Sequence, residues 1–205
     1  PFGVAFGAAA IDRGLTPAEA IAMSATVFAG ASQFAAIDLW GSPMPFLSVA
    51  LVVLAVNARH LILGAALSPW LNPVPPRRRF LALAFLTDAN FADSRTAFAN
   101  GARDAGILLG GGIVLWATWL VGTATGALLG NAIGALDRWG IDMVMVAFFA
   151  ALVVGGLSSR AQVPPVAVAV VVAVATLDVL PTGWNVVVAA LAGGLAGGLG
   201  GVRRG

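Results

Sequence analysis

From Phe46 to Leu67 nearly every residue is aliphatic or small, and the run is interrupted once, by Asn57-Ala58-Arg59-His60. A stretch of that length and character suits a helix crossing the hydrocarbon core of a bilayer. A cation within about one turn of its midpoint costs at least roughly 2.5–3.5 kcal/mol on insertion scales, so such groups pair inside a bundle or line a polar pathway. The pattern predicts a membrane protein that moves something polar.

Composition agrees. Hydrophobic residues make up 60% of the 205 and charged ones 10%, against about 25% charge in a soluble domain, too little to cover a water-facing surface. The net charge is +2 and every basic residue is an arginine, dispersed or in loops. Nucleic-acid binding needs a continuous basic face with stacking aromatics, so no nucleic-acid partner is expected. With no cysteine and one histidine, there is no disulfide or thiol chemistry and no transition-metal site in view. No cofactor is expected, and an intramembrane enzyme lacks both a His/Glu metal pattern and paired carboxylates in a spanning block.

Short punctuators holding most of the charge separate the apolar blocks. Phe2–Ile11 ends at Asp12-Arg13-Gly14; opening on Pro1, it reads as the second half of a truncated spanning helix with no signal-peptide pattern. Pro17–Trp40 follows, with Thr16 as N-cap and Pro17 at the first helical position. Gly41-Ser42-Pro43 precedes Phe46–Leu67, which Pro69, Pro73, Pro75 and Pro76 are expected to terminate before Arg77-Arg78-Arg79. Phe80–Ala99 is too polar to face lipid, with Thr87, Asp88, Asn90, Asp93, Ser94 and Arg95, and reads as re-entrant or interrupted. Further spans are expected at Gly106–Leu129, Ile141–Leu157, Val163–Leu180 and Trp184–Val202.

The expected fold is therefore all-α: a polytopic transmembrane bundle of about seven membrane elements, some broken or re-entrant, making one transporter domain over residues 1–205. A pseudo-repeat of 1–76 with 104–205 around 80–99 is allowed by the spacing, without an internal sequence match. Arginine placement puts Arg77–Arg79, Arg103, Arg160 and Arg203-Arg204 on the cytoplasmic side, and Gly41–Pro45, Asn131–Gly140 and Pro181–Gly183 outside. Arg138 is an exception balanced by Asp137.

Trp40, Trp70, Trp139 and Trp184 lie at block ends, where indoles anchor at the interface. Trp116 and Trp119 share a face inside a block, either packing or facing a substrate. Gly122, Gly126 and Gly130 form one small-residue ridge, and Gly193, Gly197 and Gly201 another beside Gly194 and Gly198. Such spacing allows close helix approach within the chain or with a partner.

Three polar clusters mark a candidate site near mid-membrane. Gly30, Ser32 and Gln33 interrupt the second block. Asn57, Arg59 and His60 interrupt the third, with Asn57, His60 and Gly64 on one helical face and Arg59 about 100° away from His60. Thr87, Asp88 and Asn90 sit in the interrupted segment. Each has a purely structural reading: Ser32 and Gln33 cross-link helices, Arg59 pairs with Asp88 to hold the broken piece, and His60 is a satisfied interior histidine. The functional reading is a zwitterion site. A carboxylate meets Arg59 and a broken helix's N-terminus, an ammonium meets Asp88, and His60 or Asp88 carries a coupling proton.

The order Phe28-Ala29-Gly30-Ala31-Ser32-Gln33-Phe34, Asn57-Ala58-Arg59-His60 and Leu86-Thr87-Asp88-Ala89-Asn90-Phe91-Ala92 resembles the AzlC family, large subunits of bacterial branched-chain amino-acid exporters. Pro1-Phe2-Gly3-Val4-Ala5-Phe6-Gly7 and Gly14-Leu15-Thr16-Pro17 resemble that family's early region, so the specific likeness covers Pro1–Phe98. One departure is Ala89, where the family often carries a glutamate after its Thr-Asp; another is the absence of its usual N-terminal residues. The resemblance implies export of valine, leucine, isoleucine and methionine across the bacterial inner membrane. It also implies a small hydrophobic AzlD-type partner and the proton gradient as energy source. No Gly-x-x-x-x-Gly-Lys-Ser/Thr loop is present and lysine is absent. A channel, a non-transporting scaffold subunit and the permease of an ATP-driven system stand as alternatives.

Overall fold

Thr16 and Pro17 start a helix for local reasons, and the computed structural model realises them: Thr16 accepts from the Glu19 amide at 3.3 Å while Glu19 accepts from the Thr16 amide at 2.8 Å, a reciprocal cap with proline at the helix start. The structure describes residues 1–41, 43–133, 150, 153–154, 157, 160–180 and 184–202. The expected span Ile141–Leu157, the turn 134–140 with Asp137, Arg138 and Trp139, the turn Pro181–Gly183 and Arg203-Arg204 lie outside them, save 150, 153–154 and 157.

The described elements are all helical. They are α1 (Phe2–Asp12), α2 (Pro17–Thr26), α3 (Gly30–Asp38), α4 (Phe46–Asn57), α5 (Arg59–Leu71), α6 (Pro76–Ala84), α7 (Asp88–Ala99), α8 (Gly106–Ile133), α9 (Val163–Ala175) and α10 (Trp184–Val202), with a 3-10 turn at Arg160–Gln162. Phe46–Leu71, 26 residues, and Gly106–Leu129, 24 residues, are long and apolar enough to cross a membrane. Phe46, Leu54, Leu61 and Ile62 on the first of these are 78%, 67%, 79% and 72% exposed. Such a surface fits lipid and not water.

Two expected blocks differ. Pro17–Trp40 is not one helix: it is broken at 27–29 between α2 and α3, where long-range hydrogen bonds take over from the helical ladder. The third block is interrupted at Ala58 and runs through Pro69 to Leu71. A proline so near a helix end forfeits one late hydrogen bond without stopping the chain before the next residues. The interruption expected in Phe80–Ala99 is found at 85–87.

The chain divides into two units. The first comprises Pro1–Gln33 and Val56–Ile133. Here α1 lies along α8 because glycines on each helix admit the backbone of the other. A Cβ on Gly3 would sit 2.7 Å from the Trp119 carbonyl oxygen, one on Gly7 would strike that of Thr123, and one on Gly126 that of Val4. Small-xxx-small pairs on both helices allow this approach. Elsewhere in the unit, Leu67, Leu71, Ala82, Leu86, Phe98 and Leu108 form a buried cluster joining α5, α6, α7 and α8.

The second unit comprises Phe34–Ala55 and 134–205. Within it α9 packs on α10, where a Cβ on Gly193 would lie 2.9 Å from Ala169 Cβ and 3.1 Å from the Pro165 oxygen. Gly194 and Gly198 face open space.

Candidate functional site

Three helix interruptions in the first unit are tied to one another by side chains. At the first, α2 closes with the Val27 amide on the Met23 oxygen at 2.9 Å, and the Ala25 carbonyl accepts from the Trp116 indole at 3.1 Å. A buried helix end without such a partner would strand a polar group. Around it Ser24, Gln33 and Thr123 are completely buried. Ser24 Oγ accepts from Gln33 Nε2 at 3.1 Å and from Trp119 Nε1 at 3.2 Å, leaving its proton for Thr123 Oγ1 at 2.8 Å. The same indole donates to Gln33 Oε1 at 3.0 Å. Gly30 admits this arrangement, since a Cβ there would lie 2.7 Å from the Trp119 ring.

At the second interruption the Leu61 amide reaches back only three residues, to Ala58 oxygen at 3.1 Å. His60 Nδ1 lies 3.3 Å from the Asn57 oxygen. A carbonyl can only accept, so this contact makes Nδ1 the donor. Asn57 Oδ1 accepts from the buried Ser32 hydroxyl at 2.7 Å.

At the third, Thr87 caps α7 reciprocally with Asn90. Asn90 Oδ1 accepts from the Thr87 amide at 2.7 Å and its hydroxyl at 3.1 Å, and the Asn90 amide donates to Thr87 Oγ1 at 3.3 Å. Asn90 Nδ2 donates to Phe85 oxygen at 2.7 Å and Leu108 oxygen at 3.2 Å, so one side chain serves the end of α6, the start of α7 and the first turn of α8. Gly112 gives α8 room here: a Cβ on it would strike the Phe85 carbonyl.

These interruptions form a ring. Ser32 and Asn57 join the first to the second, and Arg59 Nη2 joins the second to the third at 2.9 Å from Asp88 Oδ2. Phe28 returns from the first to Phe85 of the third, centroids 6.3 Å apart, with Trp116 edge-on to Phe85 at 6.2 Å. The Arg59 and Asp88 side chains are 35% and 29% exposed, and Arg59 Nε is buried without a hydrogen-bond partner.

The nine sequence candidates thus take different positions. Arg59 and Asp88 meet; Ser32 and Asn57 meet; His60 flanks the second break. Gln33 joins the Ser24 network, Gly30 lies against Trp119, and Thr87 with Asn90 caps α7. Sequence reasoning missed Ser24 and Thr123, and favoured packing over a substrate-facing role for Trp116 and Trp119 without their hydrogen bonds. Their only sequence mark is an indole pair at i and i+3 with Thr123 one turn on.

The chain matches the AzlC protein family over residues 1–133. A membrane protein of Archaeoglobus fulgidus is 34% identical over 138 residues, covering 67% of this chain and 58% of that protein. The Escherichia coli inner membrane protein YgaZ is 29% identical over 136 residues, covering 65% and 56%. The branched-chain amino acid transport protein AzlC of Bacillus subtilis is 26% identical over 148 residues, covering 72% and 58%. The chain thus spans less than two thirds of the length of these relatives. No solved structure matches it. With a match over residues 1–133 of 205, this helical membrane protein belongs to the AzlC family.

Proposed function

We propose that the chain is the large subunit of a secondary transporter that exports branched-chain amino acids across the bacterial inner membrane, coupled to protons and working with a small hydrophobic AzlD-type subunit. The observation that carries this reading is the Arg59–Asp88 pair, partly buried between two helix interruptions, with Arg59 Nε left unpartnered. A zwitterion inserts between the two charges: its carboxylate takes Arg59 and its ammonium takes Asp88. The site is neutral whether the pair closes on itself or on substrate, so neither state holds a stranded charge, which would cost several kcal/mol (about 3–5 in a fully buried pair). Phe28, Phe85 and Trp116 offer apolar surface to an aliphatic side chain.

His60 supplies the proton step through Nε2, and Asp88 is the other group in the ring able to take a proton. The name of the Bacillus subtilis relative, a branched-chain amino acid transport protein, supports the substrate class.

The test is counterflow of labelled leucine in proteoliposomes, with and without the small subunit and a pH gradient. Leucine exchange that the pH gradient accelerates supports the reading. Flux indifferent to the gradient points to a channel, and no flux with both subunits present points to a scaffold.

A further inference from the structure

Four arginines gather on one rim of the first unit. Trp70 stacks on Phe98 with centroids 5.7 Å apart, placing the ends of α5 and α7 side by side. The segments that follow them, 72–79 and 100–105, leave from adjacent points and carry Arg77, Arg78, Arg79 and Arg103 against a single acid, Asp104. Asp104 is engaged with the start of α8, its Oδ1 accepting from the Gly106 amide at 2.8 Å. Arg79 donates to Asn72 Oδ1 at 3.4 Å. Among the described residues, Arg77 and Arg78 are exposed and have no ion-pair partner.

The arginines do not serve α6 itself. Its first turn holds no acid, and cations at that end of a helix oppose its dipole. The helix instead joins this charge to an outward apolar face. Arg77, Phe80, Leu81 and Ala84 lie at i, i+3, i+4 and i+7 and are all exposed, Phe80 by 74% and Leu81 by 50%. Ala82 and Leu86 anchor the opposite side in the buried cluster. A cationic end continuous with an apolar body complements a lipid that has an anionic head and a hydrocarbon tail.

We propose that this rim binds an anionic phospholipid, its phosphodiester held by Arg77 and Arg78 and its acyl chain laid along Phe80 and Leu81. The experiment is native mass spectrometry of the full chain in mild detergent, with phosphatidylglycerol or phosphatidylcholine added at equal concentration. Phosphatidylglycerol is expected to be retained in excess. In Arg77→Gln/Arg78→Gln that retention falls by about fivefold per arginine while phosphatidylcholine is unchanged, and Phe80→Ser lowers both lipids. Arg160→Gln, in the other unit, leaves the preference intact. Equal retention of the two lipids, or an unchanged preference in the double variant, overturns the proposal. Displacement of phosphatidylglycerol by millimolar inorganic phosphate alone also overturns it, marking a simple anion site.

Discussion

Arg59 and Asp88, each the first residue of a helix that resumes after an interruption, meet at 2.9 Å. Their positions are electrostatically unequal. A carboxylate is favoured at a helix N-terminus and a guanidinium disfavoured there, so Arg59 depends on Asp88 more than the reverse. In the proposed cycle a substrate carboxylate relieves the same dependence.

Replacing Asp88 by Asn strands the guanidinium. Removing one partner of a fully buried pair costs about 3–5 kcal/mol; with each side chain roughly a third exposed, about 1–3 kcal/mol is expected. Leucine efflux from cells expressing Asp88→Asn should fall to background while the membrane-inserted amount stays near normal. Normal efflux would remove Asp88 from the mechanism, and normal efflux in Arg59→Met would favour a scaffold.

The Trp119 indole bridges Ser24 and Gln33, so Trp119→Phe leaves the buried Gln33 oxygen without its donor. Leaving such a group unsatisfied costs about 1–3 kcal/mol. Thermal unfolding in detergent should show that loss, and Trp119→Phe combined with Gln33→Leu should recover part of it. Simple additivity of the two changes would contradict the hydrogen bond.

Backbone carbonyls stand where Cβ atoms on Gly7 and Gly126 would go. Unlike a side chain, these carbonyls cannot swing aside, so Gly7→Ala or Gly126→Ala should push α1 off α8 and cost about 1–3 kcal/mol. Gly194→Ala meets nothing within 4 Å, and alanine's helix preference should make it neutral or stabilising by up to about 1 kcal/mol. Melting temperatures of the three variants check the contrast. A Gly126→Ala protein as stable as Gly194→Ala would refute the close approach.

Asn90 acts through both ends of its amide, accepting from Thr87 and donating to two backbone carbonyls. Asn90→Asp keeps the acceptor but turns a carboxylate oxygen toward the Phe85 and Leu108 oxygens. It should therefore destabilise more than Thr87→Ser, which preserves the cap and is expected to cost only a few tenths of a kcal/mol, well below the roughly 1 kcal/mol of losing a cap. Comparing protease resistance of the two variants in membranes gives the order directly.

The sequence alone determined that the chain is a helical membrane protein and that ionisable groups stand within its apolar segments. Arg59 and Asp88 could be named because a charge amid apolar residues carries its own cost wherever it lies. The start of α2 was legible too, from Thr16 and Pro17, whereas the capping of α7 by Thr87 with Asn90 emerged only in the structure. The second block was expected to be interrupted at Gly30, Ser32 and Gln33, but the exact break at 27–29 was not legible, because Val27, Phe28 and Ala29 contain no breaker. It is held by residues some ninety positions away in the chain: Trp116 donates to the Ala25 carbonyl at the helix end, and Trp119 donates to the Ser24 and Gln33 side chains on either side of the break. Only tertiary structure decided that Gly122 meets Gly3, that Gly126 lies against Val4 and Ala8 and Gly7 against Thr123 and Ala127, and that three separate interruptions close into a ring. Contacts between distant segments leave no periodicity along the chain, so their partners are chosen by packing in three dimensions.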